Sequence, residues 1–102
     1  LKNASCNVRH EVSARSFLNK PGKLSELVAK SISDSTGRNT KPELATDGGT
    51  SDARFIKDYC EVIELGIRNQ TLHQINEFVF LDDLEELKKI YYTILENYFI
   101  KN

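Results

Sequence analysis

The sequence predicts an α/β fold with helices packed on a small sheet, and three observations predict it. Apolar residues recur at helical spacing in two segments, near Leu24–Ser35 and Asp83–Phe99. They alternate with polar residues over Ser5–Phe17, the period of a half-buried strand. Short apolar runs bounded by proline or glycine lie between these, so strand and helix alternate along the chain as in an α/β layer.

The first strand candidate places Cys6, Val8, Val12 and Ala14 on one face and Asn7, Arg9, Glu11 and Ser13 on the other, with His10 interrupting the apolar side. Pro21-Gly22 ends it. Leu24, Leu27, Val28 and Ile32 then form one helical stripe, and Gly37 supplies a left-handed residue to stop it. Glu43–Thr46 after Pro42 is a short extended candidate. Asp47-Gly48-Gly49-Thr50 is a turn whose glycines reach backbone angles closed to other residues. Thr50 or Ser51 can cap a short helix over Asp52–Ile56. Val62–Leu65 reads as a buried strand ended by Gly66, followed by a polar loop, Arg68 to Gln74, that holds His73. Asp82 with Glu85 three residues on marks the start of the last helix. Its stripe is Leu84, Leu87, Tyr91, Ile94, Leu95 and Tyr98.

Composition narrows the function classes. The 102 residues are enough for one small domain, and 39% apolar with 28% charged residues fits a globular chain. A net charge of −1, with no local basic stripe, argues against nucleic acid as a partner, because phosphate binding needs excess Lys and Arg. No apolar run approaches the roughly 18 residues of a membrane span, so no membrane partner is expected. Cys6 and Cys60 match no metal or redox spacing and are expected as free thiols in a reducing cytoplasm.

Three stretches carry chemistry: Asp47 to Phe55, Glu64-Leu65-Gly66, and Asn69 to Glu77. A Gly-Gly-Thr-Ser turn offers backbone N–H groups to an anion, and equally suits an ordinary tight turn with a cap. His73 in a polar loop suits a metal ligand, and equally a surface or hydrogen-bonded histidine.

Taken in order, Gly-Gly-Thr-Ser-Asp-x-Arg-Phe, Glu-x-Gly and Asn-x-Thr-x-His-x-x-Asn-Glu closely resemble the carboxy-terminal signature of the succinyl-diaminopimelate desuccinylases. These belong to the dinuclear zinc aminoacylase/carboxypeptidase superfamily. Phe17-Leu18 followed by Pro21-Gly22-Lys23-Leu24 resembles that family's return from its lid domain, so the resemblance runs from about Ser13 onward. It implies the carboxy-terminal part of a zinc-exopeptidase-like catalytic domain over residues 18–102, with residues 1–17 ending a lid or dimerisation-type domain. The lack of methionine and the opening at Leu1-Lys2-Asn3 agree with the expectation of a piece of a longer enzyme.

The resemblance also implies a mechanism and its residues. Two zinc ions, for which cobalt can substitute, share a bridging water and aspartate beside a glutamate base, and hydrolyse N-succinyl-LL-2,6-diaminopimelate to succinate and LL-2,6-diaminopimelate. His73 is implied as the one metal ligand this chain supplies. Gly49, Thr50 and Asn69 are implied to meet a carboxylate of this small-molecule substrate. No catalytic acid or base is implied within the chain; Glu64 and Glu77 match positions without that role, and His10 falls in no histidine motif. The full-length enzyme is expected to be a cytoplasmic homodimer, and the isolated chain inactive. Asp47, where a small or hydroxyl residue is common, and Ile67-Arg68, where a Pro-containing pair is expected, bear on substrate preference. A sister deacylase, such as an acetylornithine deacetylase or zinc carboxypeptidase, is the second reading. A non-catalytic α/β anion-binding module is the third.

Overall fold

The computed structural model describes residues 3–39, 41–47, 49, 51–68 and 70–101. Three helices follow in order: α1 (Lys23–Thr36), α2 (Ala53–Ile56) and α3 (Leu81–Phe99). α1 and α3 pack on one another, and the described residues outside the three helices form turns, bends and chain without regular structure.

Local chemistry explains the bounds of α1. Ser25 Oγ accepts from Gly22 N–H and donates to Gly22 C=O, both at 2.8 Å, which closes the first turn on its cap. Glu61 Oε2 accepts from Leu24 N–H at 3.3 Å, placing a carboxylate where the helix dipole favours one. A Cβ on Gly22 would displace the Glu61 carboxylate from its place beside the first turn. The helix stops as expected at Gly37, which has φ 68° and donates to Ser33 C=O at 2.9 Å.

The α1 stripe forms as predicted, with Val28 buried and Leu24, Leu27 and Ile32 half-buried. Its centre also holds Ser31, fully buried, whose hydroxyl donates to Leu27 C=O at 2.8 Å and accepts from Asn97 Nδ2 at 2.9 Å. α3 departs from expectation in two ways. It begins after Phe80, so Asp82 and Asp83 occupy its first turn and neither caps it by side chain; they favour the helix through charge. The face toward α1 centres on Ile90 and Asn97, while Leu84, Tyr91, Leu95 and Tyr98 of the predicted stripe remain largely exposed. Only Leu87 and Ile94 of that stripe are half-buried.

The expected sheet is not present among the described residues, none of which is assigned to a strand. Period-two alternation states which way side chains face, but a strand also needs a lateral partner for its backbone groups. Val8 and Val12 stand 72% and 75% exposed on unpaired extended chain. Val62–Leu65, expected as a buried strand, is a half-buried extended segment whose backbone is held by side chains. Val62 C=O accepts from Asn19 Nδ2 at 2.8 Å, and Leu65 C=O accepts from the Tyr91 hydroxyl at 2.6 Å.

The consequence is an extended molecule. Its radius of gyration is 18.5 Å, against about 13 Å for a compact domain of this length. It exposes 9415 Å², against about 5800 Å² for a compact monomer of its mass. Val28, Ala53 and Ile90 are the buried apolar residues among those described.

Candidate functional site

Ser51 and Asp52 lead into α2, and their bonding differs from the expected cap. Asp52 stands at the cap position without a side-chain bond, and its carbonyl accepts from Phe55 N–H at 2.9 Å and Ile56 N–H at 3.2 Å. Ser51 turns its donors elsewhere: its N–H and its hydroxyl both reach Glu64 Oε1 at 2.8 Å. Local pairing of Asp52 with Arg54 is absent from the ion pairs of the described residues. The Arg54 guanidinium lies over the Phe55 ring, 4.8 Å from its centroid. Gly49 is exposed, and a Cβ built on it would meet nothing within 4 Å, so its backbone stands open to a ligand. Thr50 and Asn69 lie outside the described residues.

His73 sits in a turn closed by Thr71. The Thr71 hydroxyl donates to Phe78 C=O at 2.9 Å and accepts from Phe78 N–H at 3.1 Å, joining the two ends of the loop. Gln74 N–H adds a bond to Thr71 C=O at 3.0 Å. Within this loop His73 and Asn76 both take φ 60°, the left-handed region that costs a side chain with a Cβ. Such strain persists where the surroundings over-determine it, often at binding sites. The His73 side chain is exposed, as are those of His10 and Glu77.

Residues 4–97 match the model of Peptidase family M20/M25/M40. The chain belongs to that family. Curated relatives agree with the match. The chain is 54% identical over 83 residues to a succinyl-diaminopimelate desuccinylase of Nitrobacter hamburgensis, covering 81% of the chain and 21% of that protein. It is 50% identical over 93 residues to one of Roseobacter denitrificans, covering 91% of the chain and 24% of the relative. It is 55% identical over 86 residues to one of Rhodopseudomonas palustris, covering 84% and 21%. The chain thus spans between a fifth and a quarter of the length of these relatives.

The donor set of this M20/M25/M40 chain is small. Among the described residues no three His, Cys, Asp or Glu side chains gather where they could hold a metal ion. A catalytic zinc takes about three protein ligands. These residues therefore do not complete a metal centre, and His73 can be at most one donor to it. Cys6 and Cys60 are free and exposed, as expected. No helix of the described residues is long and apolar enough to cross a membrane. Sequence reading missed two bonding roles at this M20/M25/M40 site, the Thr71 clamp and the Glu64–Ser51 bridge. Thr71 and Glu64 both stood inside quoted motifs, but their partners lie 7 and 13 residues away.

Proposed function

We propose that this chain is the carboxy-terminal segment of an M20/M25/M40 amide hydrolase. The enzyme converts N-succinyl-LL-2,6-diaminopimelate and water to succinate and LL-2,6-diaminopimelate. The observation that carries this reading is identity of 50–55% with three succinyl-diaminopimelate desuccinylases over 81–91% of the chain. Residues 18–102 belong to the catalytic domain and 1–17 end the lid or dimerisation-type domain of a cytoplasmic homodimer. The exposed apolar face of α3, Leu84, Leu95 and Tyr98, supports a surface covered by another part of the enzyme.

In this reading His73 is the segment's one metal ligand, and its fixed turn orients the imidazole. A zinc or cobalt ion held by His73 together with ligands from elsewhere in the enzyme would supply Lewis-acid polarisation of the amide carbonyl and a lowered pKa for a bound water. Gly49 offers open backbone, and Thr50 and Asn69 offer a hydroxyl and an amide to a substrate carboxylate. Neutral oxygens and amides bind anions by hydrogen bonding and compete poorly with histidine for zinc. Thr50→Val and Asn69→Ala in the enzyme should each lower kcat/KM by about one to two orders of magnitude with metal content unchanged.

Comparative turnover tests the reading. The enzyme that carries this segment should prefer N-succinyl-LL-2,6-diaminopimelate over N-acetylornithine by about a hundred-fold or more, because the acetyl group lacks the terminal carboxylate. Preference for the acetylated substrate would make it a sister deacylase. Anion binding with turnover of neither would leave the non-catalytic module.

A further inference from the structure

Glu64 has no part in the metal or substrate contacts described above, yet it joins two of the three stretches that make up the candidate site. Its Oε1 takes two hydrogen bonds from one residue of the glycine-rich turn, from Ser51 N–H and from the Ser51 hydroxyl, each at 2.8 Å. We propose that Glu64 is a positioning residue for substrate binding: by fixing Ser51 it restrains the glycine-rich stretch that is to receive a carboxylate of the substrate. The inference rests on the reading that Gly49 and Thr50 contact substrate.

Two donors from one residue on a single acceptor atom restrain both the backbone and the side chain of Ser51. The Ser51 N–H belongs to the peptide group that joins it to Thr50, and a planar peptide turns as one unit. The bond therefore restrains the chain immediately after Thr50. This matters most in a glycine-rich sequence, which without restraint samples more backbone conformations than any other. An ionised acceptor makes these bonds about twice as strong as neutral ones. With both donors committed to Glu64, Ser51 has neither to offer an anionic substrate.

The carboxylate itself is carried on an anchored segment. The next residue, Leu65, accepts from Tyr91 of α3 at 2.6 Å, and Val62 accepts from Asn19 at 2.8 Å. The same segment runs on through Gly66 to Asn69. One stretch tied to α3 thus sets the glycine-rich turn through Glu64 and leads directly into the second substrate-contacting stretch. Both Ser51 and Glu64 are exposed, so their bond adds little to global stability and its effect should be on binding.

The test uses the metal-loaded enzyme that carries this segment, with N-succinyl-LL-2,6-diaminopimelate as substrate. KM, kcat, metal content and Tm are measured for Glu64→Ala, Glu64→Gln, Ser51→Ala and Thr50→Val. Glu64→Ala should raise KM by about ten-fold or more, with kcat within about three-fold and metal content unchanged. Glu64→Gln, whose amide oxygen accepts both bonds, should recover most of the loss. Ser51→Ala, which keeps the backbone bond and loses the hydroxyl one, should raise KM by less than Glu64→Ala does and add little on top of it, because Glu64→Ala already removes both bonds. An unchanged KM in Glu64→Ala beside a raised KM in Thr50→Val overturns the positioning role and leaves the substrate reading standing. An unchanged KM in both overturns the substrate reading and the inference with it. Loss of metal with a fall in kcat at constant KM assigns Glu64 to the metal site and also overturns the inference. Should Glu64→Ala fail to fold, Glu64→Asp decides, since the shorter side chain withdraws the carboxylate from both Ser51 donors, a raised KM supporting the role and an unchanged one overturning it.

Discussion

At the scale of single residues, His73 and His10 share a side-chain type and differ in what surrounds them. His73 is held at φ 60° in a turn clamped by Thr71, whereas His10 stands exposed on extended chain. In the enzyme that carries this segment, His73→Ala should cost far more activity than His10→Ala if His73 is the metal ligand proposed above, since its loss would then empty or distort a site that the reaction needs. Equal losses at matched stability and metal content would remove His73 from the ligand set. Asp34 makes a different point. A hydrogen bond from Lys30, one turn earlier, holds its carboxyl below the ordinary aspartate value of 3.8, with Asn97 and Lys101 acting the same way. A lowered folded value means stabilisation present above pH 3.8 and lost as the pH falls through the lowered value. The Tm of the parent should therefore exceed that of Asp34→Asn near pH 7, and the gap should close in acid. The gap should be small, because the pair is exposed and the negative charge sits in the last turn of α1, where the dipole opposes it. A gap that widens on acidification would contradict this.

At the scale of elements, α1 and α3 are the packed pair among the described helices, and the centre of their contact is partly polar. Asn97 and Ser31, 66 residues apart, share a buried bond at 2.9 Å. Ser31 keeps its second partner, Leu27 C=O, so Asn97→Ala leaves no orphaned hydroxyl and should cost about 1–2 kcal/mol, mostly the lost bond and packing. Ser31→Ala deprives a buried amide of its acceptor. The double variant should lose less than the two single losses combined, as measured by urea unfolding. Strict additivity would show that the bond contributes nothing to the interface. α3 also carries a second apolar face, Leu84, Tyr91, Leu95 and Tyr98, on which the Tyr91 hydroxyl donates to Leu65 C=O and the Tyr98 ring meets Phe99 edge-on.

At the scale of the molecule, an extent of 65 × 36 × 20 Å and three buried apolar residues among those described make an open arrangement. Hydrolysis needs a metal centre, and the described residues bring no three donors together. The isolated chain should therefore show no turnover of N-succinyl-LL-2,6-diaminopimelate and bind zinc no more tightly than about micromolar, the arithmetic of one imidazole against the three ligands of a catalytic site. Calorimetric titration giving sub-micromolar affinity, or measurable hydrolysis, would show a donor set beyond His73.

Features with short-range causes were legible in the sequence. The stripe of α1, Leu24, Leu27, Val28 and Ile32, its Ser25 bonds to Gly22 and its stop at Gly37 depend on neighbours within one or two turns. Membership of a metal-hydrolase family was legible in the order of three motifs, because chemistry constrains residue type at each. What the alternation in Ser5–Phe17 could not specify was a partner strand, since pairing is a contact between distant segments. The rotation of α3 toward Ile90 and Asn97 had the same cause: two adjacent apolar faces satisfy one helical period, and only packing against α1 selected between them. Glu64 looked like a carboxylate without a task until the chain brought Ser51 to it across 13 residues. Local spacing determined the helices and the family; long-range contacts, whose free energy exists only once the chain has folded, decided which faces were buried and which residues hold the site.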